Sequence, residues 1–309
     1  MLRYTLKRLV NAFVILFIIA SVSWLLMQFL PGSPFNDDKL TDEAKAQLEA
    51  KYGLDDPLLV QYARYMGNLA RGDLGNSYAY NGTPVVDIVL GKRLAVSAFL
   101  GAQALIVGTL IGILLGAIAA MRHNSFWDKF SATLSVLGVS VPSFVLAPLL
   151  QYWLAFKAGI FPIALFESWW HSVLPSAVLA IAVGAVVATY TRAEMLEVFG
   201  QDYVTLAKAK GLSRVAVVTR HVLRNSMIPL VTILVPLAAA LLTGTLVVET
   251  VFSIPGIGEQ FVRSIFVNDY SVIMGTTLLF AVFFVASYLI QDILYGIIDP
   301  RIRVAGTRE

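Results

Sequence analysis

Three features of the 309-residue sequence predict an all-α polytopic membrane fold. Charged residues make up 14% of the chain and hydrophobic ones 58%, whereas a soluble domain carries roughly a quarter charged residues. The apolar residues gather into six runs, each long enough to cross a bilayer. The lysines and arginines between those runs fall mostly on one side of their alternation.

A helix needs about 20 mainly apolar residues to cross roughly 30 Å of hydrocarbon. The runs at 9–30, 94–121, 130–156, 173–191, 227–248 and 270–291 meet that length. The first follows a basic start (Arg3, Lys7, Arg8), as the core of a signal peptide does. At about 22 residues it exceeds the 7–15 of such a core, and no Ala-x-Ala-like site follows. Residues 1–30 are therefore expected to form an uncleaved N-terminal span.

Placing the N-terminus in the cytoplasm puts Arg3, Lys7, Arg8, Arg122, Lys129, Arg192, Lys208, Lys210, Arg214, Arg220, Arg224, Arg301, Arg303 and Arg308 inside. The two short outer loops then hold only Lys157 and Arg263. This is the positive-inside bias, and with six spans it puts both termini in the cytoplasm. The long outer segment, 31–93, mixes acids and bases. Long loops translocate largely regardless of charge, so its basic residues do not disturb the assignment. Thr41 or Asp42 is suited to cap a helix running to Tyr52, with Gly53 after its end. A second helix is expected from about 57 to 71, opened by Pro57 and closed by Gly72. Together these read as a helical cap on the outer face. A five-span core at 94–298 and a cytoplasmic tail at 299–309 complete the organisation.

The polar stretch at 200–225 lies inside. Asp202 reads as an N-cap and Tyr203 to Lys210 as a short helix containing Ala207 and Ala209. Lys208 and Lys210 then sit in its last turn, where they suit the negative end of the dipole. Gly211 reads as the left-handed residue that ends the helix, and Ser213 as the cap of the next one. Such a knob suits a groove in a partner protein; the residues by themselves fit an ordinary inter-span loop equally well.

Other features carry less. Gly108, Gly112 and Gly116 share one helix face and permit close backbone approach, with packing inside one chain as the simpler reading. Pro142, Pro148, Pro229 and Pro236 fall within predicted spans, where static kinks are the simpler reading and hinges the secondary one. Glu249, Asp292, Arg192, Glu194 and Glu197 lie near span ends, which suggests interface snorkelling or helix-end pairing. Ile254-Pro-Gly-Ile-Gly258 reads as an apolar turn near the outer mouth, either re-entrant or a plain tight loop, with Glu249, Pro255, Gly256 and Gly258 as outer-gate candidates. The aromatics Phe161, Phe166, Trp169 and Trp170 suit a membrane interface.

There is no cysteine, which excludes disulfides and thiolate chemistry. His123, His171 and His221 fall in separate loops without metal-ligand spacing. No P-loop, G-x-G-x-x-G or G-x-S-x-G occurs. Catalytic, cofactor-binding and metal residues are therefore expected to be none, and the chain is read as non-enzymatic.

The stretch Ala207-Lys-Ala-Lys-Gly211-Leu212-Ser213, followed by Arg220-His221-Val-Leu-Arg-Asn225, resembles the cytoplasmic "EAA" loop of ABC importer permeases. Thr205-Leu206 stand where the sugar-permease form has Glu-Ala, and Arg220 to Asn225 replace its Ile-x-Leu-Pro. Both departures resemble the oligopeptide/dipeptide/nickel branch. Leu30-Pro-Gly-Ser-Pro34, Lys51-Tyr-Gly-Leu-Asp-Asp-Pro57, Gln61-Tyr62, Gly72-Asp-Leu-Gly-Asn-Ser77, Pro142-Ser-Phe144, Val248-Glu-Thr-Val-Phe252, Ile254 to Gly258 and Asp299-Pro-Arg-Ile-Arg303 extend the likeness over nearly the whole chain. The Leu-Pro-Gly-Ser-Pro and Gly-Asp-Leu-Gly pieces favour the "B" member of the permease pair.

The resemblance implies a type I (MetI-like) importer transmembrane domain in a prokaryotic inner membrane. It implies ATPase coupling through Asp202, Tyr203, Ala207, Lys208, Ala209, Gly211, Leu212, Arg220 and His221. The implied partners are a C-type permease, two ATP-binding subunits carrying ATP and magnesium, an extracytoplasmic peptide-binding protein and membrane lipid, with no nucleic acid. Peptide is the expected substrate, with nickel complexes or sugars as alternatives within the family. An ion-coupled secondary transporter would need mid-span acids or inverted repeats, and an intramembrane enzyme would need paired catalytic groups. The sequence displays neither.

Overall fold

The computed structural model describes residues 2–29 and 41–298, and within them it is almost wholly helical. The Leu30–Pro34 motif and the closing Asp299 to Arg303 motif lie outside the described residues. The helices are α1 (Leu2–Gln28), α2 (Asp42–Tyr52), α3 (Leu58–Leu69), α4 (Val85–Leu90), α5 (Lys92–Met121), α6 (Phe126–Ser140), α7 (Ser143–Leu150), α8 (Trp170–Phe199), α9 (Asp202–Ala209), α10 (Arg214–Val217), α11 (Arg224–Val251), α12 (Ile257–Phe266) and α13 (Tyr270–Ile298). Wider π-helical turns extend α7 over Gln151–Lys157 and join α10 to α11 over Val218–Leu223. Five helices (α1, α5, α8, α11 and α13) are each long and apolar enough to cross a membrane.

The sixth expected span is not one helix. α6 and α7 pass the same test together but bend by 101° between Ser140 and Ser143. The cause is Pro142, which stands before the first residue of α7 and forces Val141 out of the helical region. Val141 is accordingly extended, at φ −86° and ψ 112°. A sharp break thus replaces the kink expected within a continuous 130–156 span.

The chain groups into two compact units that are not sequential. One unit takes in Met1–Ser97 and Pro255–Val285. Its core is Val85, Val89, Ile257 and Val272, with Leu74, Ile88, Leu279 and Phe280 against it. Pro57 precedes α3 and Gly53 and Gly72 take positive φ, so the turn residues read in the sequence shape these helices. α3 rests on α1 through Tyr62, whose ring lies 5.2 Å from that of Trp24 and whose hydroxyl is 2.7 Å from Ser21 Oγ. Asp269 is buried ahead of α13. It accepts from Ser77 Oγ, from the Tyr78 and Ala79 amides at 3.3 and 3.2 Å, and from the Val272 amide at 3.4 Å. One carboxylate therefore caps a helix and pins the Gly72–Ser77 segment. Burial pushes the Tyr78 phenol up, so it stays neutral and serves as a ring against Tyr52, 4.8 Å away.

The other unit takes in Ala98–Ile254 and Ala286–Glu309. α8 is its centre and packs against α6, α7 and α11. Small residues set how closely these helices approach. On α6 the buried stripe is Ser131, Ser135 and Gly138, while Leu134, Val136, Leu137 and Val139 stay exposed. A side chain at Gly138 would meet Ala185 Cβ at 2.8 Å. On α5, a Cβ at Gly108 would meet Val183 Cβ at 2.6 Å and one at Gly112 would meet Val187 Cβ at 2.6 Å. One at Gly116 would meet the Ala188 carbonyl at 2.6 Å. The three glycines therefore form a seam with α8 of the same chain, where backbone contact replaces side-chain packing.

Candidate functional site: the α8–α11 connection

Between α8 and α11 the chain makes a helix, a turn and a second helix. Gln201, rather than Asp202, occupies the cap position of α9, with extended backbone at ψ 145°; Asp202 is the first helical residue. An acid there still suits the positive end of the helix dipole. At the far end Gly211 has φ +78°. Its amide donates to the Lys208 carbonyl at 3.0 Å, and the Leu212 amide donates to the Ala207 carbonyl at 3.3 Å. These bonds close the last turn on a left-handed residue. A Cβ at Gly211 would meet nothing within 4 Å, so backbone conformation and not space demands glycine here. Ser213 Oγ then accepts from the Ala216 amide at 3.3 Å and opens α10.

The knob has two faces. Val204 and Ala207 point inward and share a buried cluster with Ala120, Met195, Val217, Val218 and Val222, backed by Leu212 and Phe199. Ala207 is 4% exposed whereas Leu206 beside it is 55% exposed. The small residue at 207 thus lets α9 lie close to its own chain, and it does not face a partner. The outward face carries Tyr203, Leu206, Lys208, Ala209 and Lys210, with Val215 of α10 also exposed. In the sequence Leu206 stood out only as a departure from the Glu-Ala form, and Val215 not at all. Two apolar side chains in an otherwise charged connection are the signal that could have found them.

Several contacts fix the knob's orientation. The Lys208 ammonium lies 5.8 Å from the Phe199 ring centre, a cation–π distance. Arg214 donates to the Met121 carbonyl at 2.8 Å, which satisfies an end of α5. Asn225 Nδ2 donates to Tyr203 Oη at 3.1 Å and to the His221 carbonyl at 2.8 Å. Arg220 is exposed and His221 half-buried on the π-helical turn. Behind α9 lies a 470 Å³ cavity lined by residues that include Leu196, Phe199, Leu212 and Val217.

Farther up α8, Arg192 meets Asp128 of α6. Nε donates to Oδ1 at 2.5 Å and Nη2 to Oδ2 at 2.9 Å. Arg192 is therefore paired at its helix end; Asp128, its partner, was not singled out in the sequence.

The gate candidates fall in two different units, Glu249 in one and Pro255, Gly256 and Gly258 in the other. Glu249, near the end of α11, is fully buried, so of the two expected roles, snorkelling and helix-end pairing, it does not snorkel. Its carbonyl accepts from the Ile254 amide at 2.8 Å. Gly256 caps α12 with extended backbone, Gly258 is buried in its first turn, and the Ile257 amide donates to Ser97 Oγ at 2.8 Å. The segment after Pro255 is thus a ten-residue helix and not a plain loop. Of the aromatics at 161–170, Phe161 stacks on Trp170 at 5.1 Å, and Trp169 and Trp170 are exposed. Among the described residues no group of three His, Cys, Asp or Glu is placed to hold a metal.

Comparison with known proteins places this architecture. Residues 112–304 match the family of binding-protein-dependent transport system inner membrane components, and residues 1–100 match the N-terminal region described for such membrane components. The chain is 45% identical to the dipeptide transport system permease protein DppB of Lactococcus lactis, over 98% of this chain and all of the relative. It is 42% identical to DppB of Bacillus subtilis over 98% of this chain and 99% of that one. It is 36% identical to the oligopeptide transport system permease protein OppB of Escherichia coli, over 98% of this chain and all of that one. Among solved structures, the inward-facing MetNI methionine ABC transporter aligns with 68% of this chain and 94% of its own, at a TM-score of 0.56 and 15% identity. At that identity the likeness speaks for the fold alone. The all-helical membrane architecture, the family model over more than half its length and the full-length relatives agree: the chain belongs to the family of binding-protein-dependent transport system inner membrane components.

Proposed function

We propose that this chain is the B-type permease of an ATP-driven peptide importer and forms half of the path that substrate takes across the membrane. The observation that carries the reading is the two-faced knob at α9. Its inner face is built into the chain's own core, and its outer face presents Tyr203, Leu206 and Lys208 without burying them. A rigid, partly apolar projection between two spans is what a partner at the membrane surface would grip.

Closure of two ATP-binding subunits on ATP and magnesium would move α9, and α8 and α11 would move with it. The full-length likeness to dipeptide and oligopeptide permeases supports peptide as the substrate. A C-type permease would supply the other half of the path, and an extracytoplasmic binding protein would deliver the peptide. The distribution of lysine and arginine supports a topology with both termini in the cytoplasm. Glu249, Asp128 and Asp269 are buried acids of the kind an ion-coupled mechanism would use, so the source of energy is itself a test.

The chain should be purified from native membranes in mild detergent and its companions identified by mass spectrometry. ATP-binding subunits, a second permease and a peptide-binding protein are expected, and the reconstituted complex should import peptide on ATP with ion gradients collapsed. A chain recovered alone, or uptake abolished by ionophores, would overturn the reading.

A further inference from the structure

We propose that the Asp128–Arg192 ion pair is the strut by which displacement of α9 reaches α6 and the α5–α6 turn, so that both are positioning residues for transport. The inference rests on the importer reading above.

Asp128 lies in the first turn of α6 and is 3% exposed. The two bonds from Arg192, at 2.5 and 2.9 Å, form a fork that fixes the orientation of the guanidinium as well as its position. The same carboxylate accepts the Asn124 amide at 2.8 Å and lies 3.2 Å from His123 Nδ1. Asn124 is held at φ +62°, a conformation that asparagine tolerates better than most residues. One carboxylate therefore grips α8 and the turn that joins α5 to α6.

Stability alone is a poor reason for such a pair. Asp128 loses its water, whereas the Arg192 side chain is 31% exposed, so solvent screens part of the attraction while the carboxylate carries a desolvation cost. An ion pair adds direction, because it resists both separation and rotation. Its place in the chain gives that direction a use. Arg192 stands one helical turn before Met195, which is fully buried in the cluster that also holds Val204 and Ala207 of α9. A Cβ on Gly116 of α5 would lie 2.7 Å from Thr191 Cβ and 3.1 Å from the Arg192 amide. Ser131 of α6 donates to the Leu115 carbonyl of α5 at 3.2 Å. Thus α5, α6 and α8 converge at the pair, and α9 rests on the next turn of α8. Contiguity is not in itself coupling, so the test has to read coupling directly.

The complete complex is reconstituted with its binding protein, and peptide uptake and ATP hydrolysis are measured on the same vesicles. In Asp128→Asn and Arg192→Gln, uptake per ATP is expected to fall about tenfold, within the usual span of coupling effects. Arg192→Lys keeps the charge but loses the fork and should fall between. Exchange of the charges, Asp128→Arg with Arg192→Asp, should restore part of the ratio. A loss of fold would lower uptake and hydrolysis together and leave their ratio unchanged. If the neutral variants do not accumulate, Arg192→Lys decides. Wild-type uptake per ATP in an assembled variant overturns the strut. Failure of the unaltered complex to import on ATP would overturn the importer reading instead.

Discussion

At the scale of single residues, Gly211 and the neighbours Leu206 and Ala207 separate conformation, assembly and packing. Gly211 needs a left-handed backbone and has open space around it. A side chain there costs roughly 1–2 kcal/mol, and a β-branched one more. Gly211→Val should enter the membrane normally and lose ATP-driven uptake, while Gly211→Asn should keep most of it; normal uptake by the valine variant would remove the turn from the mechanism. Ala207→Leu should lower the thermal stability of the purified chain by about 1–3 kcal/mol, the usual cost of overfilling a packed site. Leu206→Ala should change stability by less than about 0.5 kcal/mol and yet reduce recovery of ATP-binding subunits. The left-handed glycine and the Ser213 cap could be read directly, because turn chemistry is local. The inward aim of Ala207 could not, since eight helical residues without a clear apolar stripe leave the face undecided until Met195 and Val218 are in place.

At the scale of elements, the α5–α8 seam depends on the absence of side chains. Gly112→Leu would drive carbons into the Gly184 carbonyl, which a mere Cβ would already meet at 2.7 Å. A loss of about 1–3 kcal/mol or more is expected, read as a lower midpoint of unfolding in detergent. Gly67 of α3 makes a matched control, because nothing lies within 4 Å of its missing Cβ. Gly67→Ala should be neutral or stabilising by about 0.4–1 kcal/mol. The spacing of Gly108, Gly112 and Gly116 was legible as a close-packing face, but the partner helix was not, because spacing says nothing of what lies opposite. Pro142 was legible as a disturbance. Its 101° break was not, because hydropathy sums α6 and α7 into one run whatever the angle between them.

At the scale of the whole molecule, five apolar helices and one bent pair among the described residues give the chain its membrane character, which the charge deficit already announced. Arg192 was legible as a charge at a span end, but its partner Asp128 was not, because the two lie 64 positions apart and only the fold joins them. The proposed topology makes a labelling prediction. A cysteine at Asn81 should react with an impermeant maleimide in intact cells, and one at Lys210 only in inverted vesicles; the reverse pattern would invert the molecule.

The central claim, that the outer face of α9 seats in an ATP-binding subunit, can be tested by cross-linking, helped by the absence of native cysteine. Single cysteines replace Leu206 and Ala207 in the assembled complex, which is treated with a thiol–amine cross-linker and separated by mass. A product joining the Leu206→Cys chain to an ATP-binding subunit is expected, and none from Ala207→Cys, because the side chain at 207 is buried. Equal products from both, or none from Leu206→Cys while an impermeant thiol reagent still labels it in the complex, would show that the outer face of α9 does not seat in an ATP-binding subunit.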